Sequence, residues 1–192
     1  MKTNFFRIMM LALAISFSAC ETKKTDDSAE VAEDQNEAKH DDSNLDKDSK
    51  RVVEIADGGL YEVQLATMAL TKAKSPEVKK FAQMMVDDHT KANNELKAWA
   101  GKNNVTLPDV MSEEKQKKYY DLERDEEANE FDEEYMDEMV EDHRKDIKKF
   151  EDLAEDAENA ELKSWAAGKV TTLRHHLEEA ERIKEAVKKN SK

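Results

Sequence analysis

From Arg51 to Lys189 apolar residues recur every three to four positions, with very little in between that can end a helix. The 192-residue chain has only four Gly and two Pro, too few for the tight turns that a sheet of strands needs. Long amphipathic helices packed along their apolar stripes are what this pattern permits. Four segments follow. The first, Arg51 to Lys74, carries Val52, Ile55, Ala56, Val63, Ala66, Leu70 and Ala73 on one face. Ser75-Pro76 stops it and starts the next, since Ser can cap a helix and Pro is preset for its first turn. The second, Pro76 to Lys102, carries Val78, Phe81, Ala82, Met85, Leu96 and Trp99.

A connector from Gly101 to Asp125 holds Pro108 and a short helix capped by Ser112. The third long segment, Glu126 to Glu158, carries Phe131, Tyr135, Met139, Ile147, Phe150 and Ala154. After a break near Asn159 the fourth, Ala160 to Lys189, carries Leu162, Trp165, Val170, Leu173, Leu177, Ala180, Ile183 and Val187. Four long helices with two short turns and one long crossover, between helices 2 and 3, predict an all-α antiparallel four-helix bundle over 51–189. Two echoes support a hairpin design. Met85-Val-Asp-Asp-His89 returns as Met139-Val-Glu-Asp-His143, and Ser75 to Ala82 aligns with Asn159 to Ala166.

The N-terminal part has a different character. Lys2 and Arg7 precede an apolar run from Ile8 to Phe17, about ten residues, which is too short to span a bilayer and has the length of a signal core. Phe17-Ser18-Ala19-Cys20 then resembles the bacterial lipobox, with Phe where Leu is usual. Residues 1–19 are expected to be a signal peptide. Cys20, the one cysteine, is expected to carry the lipid that attaches the protein to a membrane, at the periplasmic face or the outer membrane. A single cysteine also excludes an intramolecular disulfide. Residues 20–50 hold eleven Asp or Glu from Glu21 on and no aromatic residue, which predicts a disordered acidic tether.

Charged residues make up 40% of the chain and its net charge is −14, which excludes nucleic acid as a partner. The run from Asp121 to Asp142 has thirteen carboxylates and one basic residue, Arg124, but lacks the glycine and spacing of a calcium loop. It reads as a solvated face. No Gly-rich phosphate loop and no nucleophile motif is present. No protein partner is legible.

His89, His143 and His176 lie on inward stripes, and Glu62 sits at the edge of the first. Glu62 and His89 are equidistant from the turn at Ser75-Pro76, and His143 and His176 from the turn at Asn159-Ala160. At 1.5 Å per residue these heights are roughly 20 Å and 25 Å, so the four side chains can converge whether the turns lie at the same or at opposite ends. Imidazole suits Zn, Cu and Fe, and Met85 and Met139, one turn before their histidines, would add thioether preference for copper. Taken singly, such a histidine is more often a hydrogen-bonded core residue and such a methionine a filler. Val86 and Val140 stand where the Glu of a di-iron Glu-x-x-His motif would be. The reading is a non-enzymatic metal-binding or metal-buffering domain. A structural or stress-protective protein without metal and a metal-dependent redox enzyme are the alternatives.

The segments FAQMMVDDHTKANNEL, FDEEYMDEMVEDHRKDIKKFEDLA and TLRHHLEEA resemble a bacterial family of unknown function described as ferritin-like and as predicted outer-membrane or periplasmic proteins. The resemblance runs from about Arg51 to Val187. It implies an up-down-down-up bundle, with the family's histidines falling at His89, His143 and His176. It implies no settled activity.

Overall fold

The computed structural model describes residues 27–40, 44–124 and 131–190. The described residues are helical throughout apart from short connections: α1 Ser28–His40, α2 Asn44–Lys72, α3 Pro76–Lys102, α4 Glu113–Arg124, α5 Phe131–Asp156 and α6 Ala160–Asn190. No strand occurs among them, and no helix there is long and apolar enough to cross a membrane. The expected leader, Cys20 and the start of the third segment before Phe131 lie outside the described residues.

The two short turns pair the long helices, α2 with α3 and α5 with α6, and α2 also packs on α5 and α3 on α6. Cross-bundle hydrogen bonds fix the directions. Asp132, at the start of α5, accepts from the backbone N–H groups of Lys74 and Ser75 in the α2–α3 turn, at 3.0 and 2.7 Å. Asp48, near the start of α2, accepts from Glu158 and Asn159 in the α5–α6 turn, at 3.1 and 2.8 Å. The turns therefore lie at opposite ends of the paired helices. Trp99, near the end of α3, donates to Asn159 Oδ1 at 3.2 Å and closes that end. Ser75 precedes Pro76 in extended conformation but makes no side-chain cap; Asp132 takes over part of that task.

These bonds reveal the internal symmetry. Adding 84 to a residue number carries Asp48 onto Asp132, and Lys74-Ser75 onto Glu158-Asn159, with the same bonds exchanged. The repeat of Ser75–Ala82 at Asn159–Ala166 obeys this offset. The Met-Val-x-Asp-His echo does not: it places one copy on α3 and the other on α5, which the offset does not relate.

The core divides into two apolar clusters with the histidines near their junction. One holds Leu65, Phe81, Met85, Phe131, Tyr135, Met136 and Ile183; the other holds Val52, Leu96, Trp99, Phe150, Leu153, Leu162 and Leu173.

The tether expectation needs correction over its described part. Residues 28–40 form α1, and α2 begins at Asn44 rather than Arg51. The segment offers little apolar surface, and polar bonding replaces it. Asn36 is fully buried, donates to Thr106 O at 2.8 Å and accepts from Thr106 N at 2.6 Å. Asp27 accepts from Glu113 N at 2.6 Å. A composition rule that counts apolar residues misses an element pinned by two or three directed bonds. The connector follows expectation in one respect: Ser112 caps α4, its Oγ accepting from Lys115 N at 3.3 Å while donating to Asp57 at 2.8 Å.

Candidate metal centre

His89 on α3, His143 on α5 and His176 on α6 meet at mid-bundle, 6%, 0% and 1% exposed. Helical periodicity puts each on an inward stripe, and the opposed turns bring the stripes to one level. Their rings form a nearly equilateral triangle, with centroids 5.5, 5.4 and 5.4 Å apart. One potential ligand atom from each lies within 4.8 Å of the other two, so the group could hold a metal ion.

Each imidazole is tied on its outer side to an acceptor. His143 Nδ1 faces the backbone carbonyl of Met139 at 2.9 Å. His176 Nε2 faces Asp88 Oδ2 at 2.9 Å, and His89 Nδ1 faces Glu62 Oε2 at 2.7 Å. Met139 O and Asp88 assign the ring protons of His143 and His176 to their outer nitrogens, and His89 follows the same pattern when Glu62 is its acceptor. The inner nitrogens are then lone pairs turned toward one another. His143 Nε2 and His176 Nδ1 stand 3.3 Å apart with no proton of their own to share, and His89 Nε2 is buried without a partner. Moving a proton inward would set a lone pair against Met139 O or a carboxylate. The cluster thus lacks one positive charge at its centre, which a proton or a metal cation would supply.

Burial holds all three imidazoles below their usual range. His143 is lowered to about 3, by burial and then by His89 and His176; His89 is lowered to about 4 by burial against the opposing pull of Asp146 and Asp88. His176 is lowered by burial, opposed by its bond to Asp88. Neutral imidazoles are the form that ligates metals.

An acidic layer backs the triangle. Glu62 is 1% exposed; burial first and Asp142 second hold its carboxyl well above the usual range. Asp146 is pushed up to about 8 by burial and then by Glu62 and Asp142. Glu62 and Asp146 are equivalent under the 84-residue offset and come within hydrogen-bonding reach of each other. Two carboxylates in that contact share a proton, because like charges so close and so buried cannot both persist. Asp142 is matched by Lys115 of α4 at 3.2 Å, and Lys115 also lies 4.5 Å from the ring centroid of Tyr61.

The structure brings together all four residues read from the stripes. Glu62 meets the triangle through the outer nitrogen of His89, with Oε1 3.6 Å from His143 Nδ1. Met85 and Met139 are fully buried, and Met139 meets the site through its carbonyl oxygen. Sequence reasoning missed Asp88, Asp142 and Asp146. The Asp-His pairs were visible as a motif, but its two copies do different work: Asp88 orients His176, whereas Asp142 binds Lys115. Asp146 had a signal in the 84-residue offset from Glu62.

No curated protein and no solved structure matches this chain significantly. A family model described as a domain of unknown function, DUF4142, matches residues 31–183 and so includes most of α1 along with every residue of the triangle. The chain belongs to the DUF4142 family.

Proposed function

We propose that this protein is a metal-binding or metal-buffering domain of the cell envelope: a ferritin-like four-helix bundle, up-down-down-up, tethered to a membrane by a lipid on Cys20. One observation carries the metal reading. Three buried imidazoles have their outer nitrogens beside Met139 O, Asp88 and Glu62 and their inner nitrogens turned toward one another. This is the arrangement in which outer carboxylates and carbonyls orient histidine ligands. Such a ligand set suits Zn, Cu or Fe, and a metal held by three protein ligands keeps an open position for a fourth. A purely structural role accounts less well for His89, whose Nε2 has no hydrogen-bond partner.

The test is metal content after native purification, followed by Zn²⁺, Cu²⁺ and Fe²⁺ titration of the full chain. Wild type should take up one ion, and His176→Gln and the triple His→Ala variant should lose high-affinity uptake. Equal metal binding by the triple variant would refute the reading. The lipid anchor is supported by the basic start, short apolar run and Phe-Ser-Ala-Cys of residues 2–20. Acyl-lipid labelling should disappear in Cys20→Ser; a wild type that takes no label overturns the anchor.

A further inference from the structure

The bonds that hold α1 also fix where the chain leaves the body toward Cys20. Asn36 is buried against Thr106, Lys39 donates to Thr106 Oγ1, and His40 Nε2 stands 3.1 Å from Asn104 O. Just ahead of α1, Asp27 accepts from the N–H of Glu113, the first residue of α4. Next to it Asp57, midway along α2, accepts from Ser112 N at 2.6 Å. The chain therefore departs at mid-height on the flank of the bundle, where the connector enters α4, and not from either end. Seven residue steps separate Cys20 from Asp27, and even fully extended they reach only about 25 Å. A thirty-residue tether would reach about 100 Å.

The same flank carries the large apolar side chains that the described residues expose. Val110, 55% exposed, lies three residues before Glu113. Tyr120, 49% exposed, lies two turns into α4, about 10 Å from Glu113. Either alone would be an ordinary surface residue. Tyrosine, however, favours a membrane–water boundary, where its ring sits in the apolar layer and its hydroxyl stays wet. Beside Tyr120 the exposed cations Lys117 and Arg124 both pair with Asp121, at 2.6 and 2.8 Å, so the outer side of α4 interleaves charges of both signs. A zwitterionic headgroup, one phosphate and one amine, matches such a face. An anionic surface would repel a molecule of net charge −14.

We propose that the flank formed by the connector and α4 lies against the phospholipid surface that holds Cys20, with Val110 and Tyr120 at the headgroup boundary and zwitterionic lipid as the partner. The inference rests on the lipid anchor read above. The anchor confines the flank to the neighbourhood of the surface, so contacts too weak to recruit a free protein suffice to orient an attached one.

The experiment uses the full-length, lipidated protein in vesicles of phosphatidylcholine and phosphatidylethanolamine. Lipidation leaves Cys20 without a free thiol, so one added cysteine alone takes a polarity-sensitive dye. Glu114→Cys places the dye on the exposed first turn of α4, and Thr171→Cys places it on the exposed side of α6. A nitroxide-bearing lipid should quench the dye at position 114, with a blue-shifted emission, and not at 171. Val110→Ser with Tyr120→Ser in the Glu114→Cys protein should remove about half of that quenching; unchanged quenching takes the two side chains out of the contact and overturns the assignment. Equal quenching at both positions, or none at either, in a protein that carries acyl label at Cys20 overturns the docking and leaves the anchor standing. A blue shift at 114 that persists without vesicles points to a second copy of the chain and overturns the docking as well. A wild type that takes no acyl label overturns both readings.

Discussion

Asp132→Ala tests the symmetry that places the histidines at one level. Asp132 is 6% exposed and receives two backbone N–H groups of the α2–α3 turn. A hydrogen bond to a charged partner contributes about 1.5–3 kcal/mol net. Lys74 is exposed, so water recovers part of its share on truncation. The low end for two bonds, less that recovery, is about 2–3 kcal/mol. For a domain of this size that is a fall in Tm of about 5–10 °C. Asp132→Asn keeps an acceptor without the charge and should lose about half as much. Asp48, fully buried and bonded to the α5–α6 turn, is the symmetric counterpart, so Asp48→Ala should cost a similar amount. Because the two turns lie at opposite ends, the double variant should be additive to within about 0.5 kcal/mol. Urea unfolding followed by far-ultraviolet circular dichroism measures all four. A loss below about 0.5 kcal/mol in either single alanine variant would refute the capping argument, since removing two charge-assisted bonds cannot be that cheap.

Three further outcomes are expected. Asp88→Asn should weaken metal binding roughly tenfold, the lower end for an outer partner because Asp88 is 45% exposed, with little change in metal-free Tm; unchanged affinity by competition with a chromogenic chelator would remove Asp88 from the site. The metal-free protein should be most stable near pH 6.5. Below that pH the unfolded chain gains imidazole protons that folded His89, His143 and His176 refuse; above it the unfolded imidazoles are neutral and the unfolded carboxyls already ionised, while the folded Asp146–Glu62 pair still holds a proton. Both differences lower stability away from that pH, so a Tm that rises steadily to pH 9 contradicts the assignment. Asn36→Ala should cost about 2–3 kcal/mol through the loss of two buried bonds to Thr106 and expose α1 to limited proteolysis; an unchanged digestion pattern would mean that α1 is held by something else.

Helices come through in the sequence because their signal is local. The 3.6-residue period and the Ser75-Pro76 punctuation suffice to bound α3 at Pro76 and Lys102 and to set His89, His143 and His176 on inward faces. The acidic segment before Arg51 carries no such local signal, because α1 is secured by Asn36 and Asp27 bonding to residues about seventy or more positions away. Nothing nearby in the chain announces such a partner. The same holds for Asp48 and Asp132, which look like ordinary acidic residues until the opposite turns come within reach.

The site divides along the same line. That three imidazoles could meet followed from equal distances to the turns. Which nitrogen of each faces inward was decided only in three dimensions, by Met139 O, Asp88 and Glu62 holding the outer nitrogens. Repetition alone does not reveal the relation that governs the bundle: the Met-Val-x-Asp-His echo joins helices that the symmetry does not relate, whereas the offset of 84 pairs Glu62 with Asp146. Periodicity states which face of a helix turns inward, because side-chain direction depends on backbone geometry alone. It cannot state what stands opposite, because tertiary contact depends on the distance between chain segments in space.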